Sequence, residues 1–306
     1  MICYIILHYM VKEATVECVE TLKNHIDLLH DHVIIIDNNS TNGSGRYLKR
    51  KYSQEPWCTV ILNKHNEGYA RGNNIGYRIA RKLGGDFIVV MNNDLIIDDP
   101  LFSEKLHTLY ERTGFDVYGP DILSMLTGKH QNVSLFPITV EEIDRNISAL
   151  NWFASMSPEE VARRSRKDKY RVFKKTIKLI IKKVLGENDA QTVEAIHFRP
   201  EPVPEKDYDH PVLHGSCLVF SKRFIRQEED AFDPNTFMYC EEWILHHKCI
   251  KKGYLAIYDP VIQVKHYEGH STRRVFTTYT QIQHMKAVEK THSLQVLKKV
   301  MQQDRQ

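Results

Sequence analysis

Five short apolar runs, each continuous and not alternating, constrain this chain more than any other feature. They are Ile2–Leu7, Val33–Asp37, Thr59–Leu62, Phe87–Met91 and Val117–Gly119. A strand that is apolar at every position has to be covered on both faces, which is the situation of a parallel sheet layered with helices. Between the first two runs, Val16, Val19, Leu22, Ile26 and Leu29 recur at helical spacing. The expected architecture is therefore α/β: a Rossmann-like, mostly parallel central sheet with helices on both faces.

In such sheets ligands bind outside the carboxyl ends of the strands, so the segments after each run are where function is expected. They are polar in a particular way. Asp37-Asn38-Asn39-Ser40 follows the second run, Asn63 to Asn74 the third, and Asn92-Asn93-Asp94 the fourth.

The chain has 306 residues, which suits one large domain or a core carrying an insertion. With 42% hydrophobic and 26% charged residues it is neither disordered nor collagen-like. Lys+Arg 42 against Asp+Glu 39 leaves +3, no global basic field, and argues against a nucleic-acid partner. No apolar run approaches the roughly 20 residues of a spanning helix. The first residues lack a basic n-region and read as a buried strand, not a signal peptide. Six cysteines without a CxxC pair read as reduced thiols, and the expected setting is cytoplasmic.

The middle of the chain changes character. Residues 163–185 hold eleven Lys/Arg and one acid, Asp168, with Tyr170, Phe173, Ile177, Ile180, Ile181 and Val184 near one helical face. A basic amphipathic helix suits an anionic membrane surface, peripheral on the inner face of the cytoplasmic membrane, or equally a solvated helix covering the sheet. A proline-rich linker, 199–204, follows. From about 211 the α/β pattern resumes: a strand over Val212–Phe220 broken at Gly215, a helix from Glu241-Glu242 to Gly253, short strands Leu255–Tyr258 and Val261–His266, and a helical tail from Thr280 to about Val300. The expected division is 1–125, a nucleotide-binding half; 126–210, a basic helical insertion and linker; 211–275, an acceptor and catalytic half; and 276–306, a tail.

Several residues have the chemistry for a site. Asp94, at a strand's carboxyl end, suits a hard divalent cation such as Mg²⁺ or Mn²⁺ shared with substrate phosphates. Asp37 suits a ribose hydroxyl or a base N–H. Both are equally what a turn demands. The loop from Asn66 through Gly68 and Arg71 to Asn74 combines glycine, amides and a cation ahead of a helix, as a diphosphate cradle would. Glu241 and Glu242 suit a helix N-terminus in any case; as adjacent carboxylates in a partly buried site they would raise each other's pKa and keep a base near neutral pH. His266 is either a satisfied histidine or a metal ligand.

The order of these motifs carries a resemblance. Asp37-Asn38-Asn39-Ser40-Thr41, Asn66 to Gly76, Asn92-Asn93-Asp94, then His214-Gly215-Ser216-Cys217, Phe232-Asp233, Phe237 to Glu242, Gly253-Tyr254 and His266 to Ser271 resemble a family 2 glycosyltransferase of the GT-A fold. The resemblance covers about 1–125 and 211–275. It is nearest the bacterial rhamnosyltransferase-like and capsular polysaccharide transferases.

The resemblance implies a nucleoside-diphosphate sugar donor, UDP- or dTDP-linked, a divalent cation, and a glycan or lipid-linked acceptor in surface polysaccharide synthesis. It implies donor contacts from Asp37, Asn39, Asn66, Gly68, Arg71, Asn74, Asn93, Gly215 and Arg273, and a metal site of Asp94, Asn92 and His266. Glu242, beside Glu241, stands where the family has its base, and transfer with inversion is expected. A sugar-nucleotide pyrophosphorylase would want a glycine-rich, arginine-containing loop after the first strand; here that loop is His8-Tyr9-Met10-Val11-Lys12. A degenerate transferase that binds without turnover is the remaining alternative.

Overall fold

A computed structural model describes residues 1–132, 136–167, 170, 210–267 and 278–303. Among the described residues, eight strands form one sheet in the order β3-β2-β1-β4-β7-β6-β8-β5. The strands β1 (Ile2–His8), β2 (His32–Asp37), β3 (Cys58–Leu62) and β4 (Phe87–Asn92) pair in parallel. β6 (Val117–Ser124) and β8 (Ala256–His266) are also parallel. β7 (Cys217–Ser221) runs antiparallel between β4 and β6, and β5 (Leu95–Ile96) pairs antiparallel with the end of β8.

The two-sided burial read from the apolar runs is what the core contains. Ile2, Tyr4, Ile6, Val33, Ile35, Val89 and Met91 pack on one face with α1 (Lys12–Lys23), α2 (Ser44–Lys51) and α4 (Phe102–Thr113). Cys3, Ile5, Ile34, Ile36, Ile88 and Val90 pack on the other with α3 (Gly68–Leu83), α6 (Lys222–Gln227) and α7 (Glu241–Lys252). Each such side chain contributes roughly 1.5–3 kcal/mol on burial. A third cluster joins Ile143 of α5 (Val140–Ala154), Cys240 and Ile244, and Leu294 and Leu297 of α8 (Tyr279–Gln303). The segment after β6 and the C-terminal helix therefore pack together on the start of α7.

Two sequence expectations change in detail. The strand expected over Val212–Phe220 is β7 alone, because His214, Gly215 and Ser216 leave the sheet to build the site described below. The two strands expected over 255–266 are one, because the β6–β8 register shifts opposite Gly119 and Asp121. Pro260 sits at that irregularity, where a missing N–H costs no ladder bond. The proline-rich linker and most of the basic stretch 163–185 lie outside the described residues; helix is present over 158–167, where Arg164 pairs with Glu160 at 3.2 Å. No helix among the described residues is long and apolar enough to cross a membrane. All six cysteines are buried and free of disulfides.

One tie between the halves is testable by itself. Asn74 on α3, fully buried, donates from Nδ2 to the Phe232 carbonyl at 2.8 Å and accepts the Phe232 N–H at 3.0 Å. Asn74→Ala strands two buried backbone groups, each costing about 1–3 kcal/mol. The expected result is a destabilisation of about 2–4 kcal/mol in a urea melt. An unchanged midpoint would contradict this role.

Candidate active site

Parallel register brings the carboxyl ends of β1, β2 and β4 to one edge, with His8 opposite Asp37 and Leu7 opposite Asn92. A buried polar chain runs beneath that edge. Asn93 donates from Nδ2 to Thr15 Oγ1 at 2.9 Å, and His8 links Thr15 Oγ1 through Nδ1 (2.7 Å) to Ser44 Oγ through Nε2 (2.8 Å). Burial pulls the His8 pKa down to about 4, so the ring is neutral and serves as one donor and one acceptor. His8 Nε2 lies 3.9 Å from Asp37 Oδ1. Asp37 accepts the Ser40 N–H at 3.2 Å, and burial raises its pKa. Gly45 is required here: a Cβ on it would lie 2.1 Å from the Asp37 carboxylate.

The loop after β3 is organised by Asn38. Its Nδ2 donates to Asn66 Oδ1 (2.8 Å) and to the Gly68 carbonyl (3.0 Å), while its Oδ1 accepts the Glu67 N–H (2.9 Å). Gly68 opens α3 at φ +72°, and a Cβ there would lie 2.1 Å from the Phe237 carbonyl oxygen, so only glycine fits. Tyr69 reaches across to donate its hydroxyl to the Gly215 carbonyl. Arg71 is exposed and 3.5 Å from Glu67, leaving its guanidinium able to reach an anion at this edge.

Glu241 and Glu242 begin α7 but occupy different surroundings. Glu241 is buried, with Oε1 unpartnered, and burial together with the neighbouring Glu242 charge pushes its pKa up to about 8. Glu242 is half-buried beside Gly215, where a Cβ would lie 2.7 Å from Glu242 Oε1. Burial raises its pKa too, while the Gly215 N–H and the Lys290 charge from α8 oppose the rise.

The folded chain thus holds the Glu241 proton more tightly than the unfolded chain. That stabilisation is full below the ordinary Glu value of about 4.3 and is lost as pH rises through about 8. Glu241→Gln, whose amide cannot ionise, is expected to gain on wild type by up to about 1.4 kcal/mol per pH unit across that window. Thermal melts from pH 5 to 9 (set by that window) check it; parallel curves would contradict the buried, protonated carboxyl.

The segment 214–216 connects Glu242 to the edge of β4. Ser216 accepts the Asn92 N–H on its carbonyl at 2.9 Å, and His214 N–H donates to Asn132 Oδ1 at 2.8 Å. His214 Nδ1 accepts the Ser216 N–H at 3.2 Å, and burial, then the nearby His266, lowers its pKa to about 4. Its ring lies 6.3 Å from that of His266. His266 in turn holds Gln131 Oε1 through Nδ1 at 2.7 Å. An amide oxygen only accepts, so Nδ1 carries hydrogen and Nε2 is turned to Asp94 Oδ1, 3.3 Å away.

A carboxylate oxygen and an imidazole nitrogen facing each other, with the ring fixed from behind, is a suitable donor pair for a divalent cation. Among the described residues no group of three His, Cys, Asp or Glu converges. Two protein ligands fit a cation that completes its shell with substrate phosphate and water.

The structure therefore brings together Asp37, Asn39 and Ser40 on one loop, Asp94 with His266, and Gly215 with Glu242, while Asn92 is tied through its N–H to the Ser216 carbonyl. Two of the expected donor contacts take part in the scaffold: the Asn74 amide bonds Phe232 through both its Nδ2 and its Oδ1, and the Asn93 Nδ2 donates to Thr15. Asn66 is exposed but its Oδ1 accepts from Asn38 and from the Gly68 N–H. Arg273 lies outside the described residues. His8, Thr15, Asn38, Asn132 and Lys290 had no role from sequence, because each acts through partners 7 to 82 positions away.

Comparison with known proteins agrees with this geometry. The model for "Glycosyl transferase family 2" matches residues 3–185. Two curated relatives, N-acetylglucosaminyl-diphospho-decaprenol L-rhamnosyltransferases of two Mycobacterium tuberculosis strains, are 34% identical over 77 residues, 25% of this chain and 25% of theirs. The aligned stretch is thus a quarter of the relatives' length. Among solved structures, S. aureus TarS 1-349 in complex with UDP-GlcNAc superposes with TM-score 0.50 at 10% identity, over 90% of this chain and 61% of that one. The mannosyltransferase PcManGT from Pyrobaculum calidifontis, in complex with GDP-Man and Mn2+, superposes with TM-score 0.52 at 11% identity, over 99% and 74%. The fold is that of GT-A glycosyltransferases, and with more than half of its residues matched the chain belongs to glycosyl transferase family 2.

Proposed function

We propose that this protein transfers a sugar, with inversion, from a nucleoside-diphosphate sugar to a hydroxyl of a glycan or lipid-linked acceptor in surface polysaccharide synthesis. The observation that carries the reading is the single short segment 214–216, which sets a half-buried carboxylate, Glu242, beside the edge that presents Asp94 and His266. A direct displacement needs that arrangement: a base on one side of the anomeric carbon and stabilisation of the departing diphosphate on the other.

In this reading Glu242 accepts the acceptor hydroxyl proton as the oxygen attacks. Burial raises its pKa, and the Gly215 N–H and the Lys290 charge oppose that rise. Glu241 is buried, whereas Glu242 is half-buried beside Gly215, so Glu242 takes the role of base in this reading. Asp94 and His266 would hold the divalent cation, Mn²⁺ or Mg²⁺, which supplies charge neutralisation for the leaving group when bound. Arg71, exposed beside Glu67, offers a cation to the same diphosphate, and Asp37 and Asn39 would face the nucleoside.

Incubation with UDP-, dTDP- and GDP-sugars, Mn²⁺ and a panel of glycan and lipid-linked acceptors tests the reading by nucleotide release, followed by NMR of the new glycosidic linkage. Release from one donor class with inverted anomeric configuration is expected. Retained configuration would overturn the displacement mechanism, and binding without any release would favour a degenerate, non-catalytic protein.

A further inference from the structure

We infer that a cavity between α5 and the start of α7 is an acceptor subsite that seats one pyranose ring of a saccharide on Trp243. The inference rests on the transfer reaction proposed above and adds the place and chemistry of the acceptor.

The cavity measures about 340 Å³, within the range of about 300–1,000 Å³ typical of ligand pockets. Phe136 and Trp243 form its apolar wall, and Glu142, Arg145 and Asn146 its polar rim. The Trp243 indole N–H donates to the Phe136 carbonyl at 2.8 Å. That bond satisfies the polar edge of the indole and fixes the ring, as a preformed stacking surface requires. Phe136 is 63% exposed, so its side chain is accessible to a ligand at this wall.

A pyranose has one face of C–H groups and a rim of hydroxyls. A flat aromatic wall meets the first, and an exposed guanidinium with an exposed side-chain amide meets the second. Glu142 accepts the Thr139 N–H at 2.8 Å in the α5 cap and lies 3.9 Å from the Arg145 guanidinium, whose remaining N–H donors, with the Asn146 amide, are the groups offered to hydroxyls. The charged and amide rim interrupts any continuous apolar track, which disfavours a lipid chain as the occupant.

Position assigns the cavity to the acceptor and not to the donor. Trp243 follows Glu242 on the first turn of α7, so the cavity borders the helix end that carries the candidate base. Phe136 is four residues beyond Asn132, whose Oδ1 holds the His214 N–H; four residues span at most about 14 Å. The donor loops after β1–β4, by contrast, contribute none of the lining residues.

Saturation-transfer NMR with the methyl glycosides of glucose, galactose, N-acetylglucosamine and rhamnose tests the assignment on the full chain. Wild type is expected to saturate the ring C–H protons of at least one glycoside. Trp243→Ala should weaken that glycoside about tenfold or more, as should Arg145→Ala with Asn146→Ala, while Trp243→Phe retains most of it. Trp152→Ala, which removes an exposed tryptophan away from the cavity lining, should behave as wild type. No saturation in wild type, or equal saturation in the Trp243→Ala and double variants, overturns the subsite. Should Trp243→Ala fail to fold, the double rim variant on exposed positions decides alone. UDP, dTDP and GDP binding measured on the same samples separates the failures: nucleotide binding without glycoside binding rejects the subsite only, and loss of both in wild type rejects the transferase reading.

Discussion

Glu242→Gln is expected to lower sugar transfer by about 10²–10⁴-fold while leaving nucleotide affinity unchanged. The substitution keeps the shape beside Gly215 and removes only the ability to accept a proton. On the free-energy scale the loss is about 3–5 kcal/mol of transition-state stabilisation. It should appear in kcat, because the acceptor hydroxyl needs the base only as its proton leaves. Glu241→Gln is the matched control: Glu241 is buried and protonated to about pH 8, so its replacement should leave transfer at neutral pH close to wild type. Full turnover by Glu242→Gln, or loss in Glu241→Gln alone, would reassign the base.

Asp94→Ala carries the second large effect. It removes the carboxylate turned toward His266 Nε2 and leaves the imidazole, still fixed by Gln131, with no partner of opposite character. Changes in the shell around metal ligands already cost about 10–100-fold in affinity, so loss of a ligand itself should cost at least about 100-fold in Mn²⁺-dependent nucleotide binding. Binding in the absence of metal should change far less. Isothermal titration of the nucleotide, with and without Mn²⁺, measures both. Equal metal enhancement in wild type and Asp94→Ala would remove Asp94 from the site.

Much of the fold was legible because buried parallel strands have to be apolar at consecutive positions. Ile34-Ile35-Ile36 sends residues to both core faces, and no other local structure accounts for it as well. Placement of β7 was not legible: its antiparallel insertion between β4 and β6 is decided by tertiary pairing between residues more than 100 positions apart. Among the candidate site residues, carboxylates at strand ends were readable because a buried charge needs a reason. The asparagines were not. Asn38, Asn74 and Asn93 offer identical chemistry in the sequence, and only their partners separate a loop organiser, an inter-element clamp and a buried link to Thr15. Glu241 and Glu242 were likewise equivalent until helix direction set one against Thr236 and the other against Gly215.

The β1–β4 edge is proposed to bind a nucleoside diphosphate through a cation held by Asp94 and His266. A thermal-shift panel of UDP, dTDP, GDP and CMP, each with and without Mn²⁺ or Mg²⁺, tests it most directly. A ligand at 100 times its Kd adds about 2.7 kcal/mol to the folded state, a shift that is readily seen. A rise in Tm is expected for one nucleoside diphosphate, dependent on the cation and lost in Asp94→Ala. A rise that ignores the cation, or no rise with any nucleotide, would contradict it.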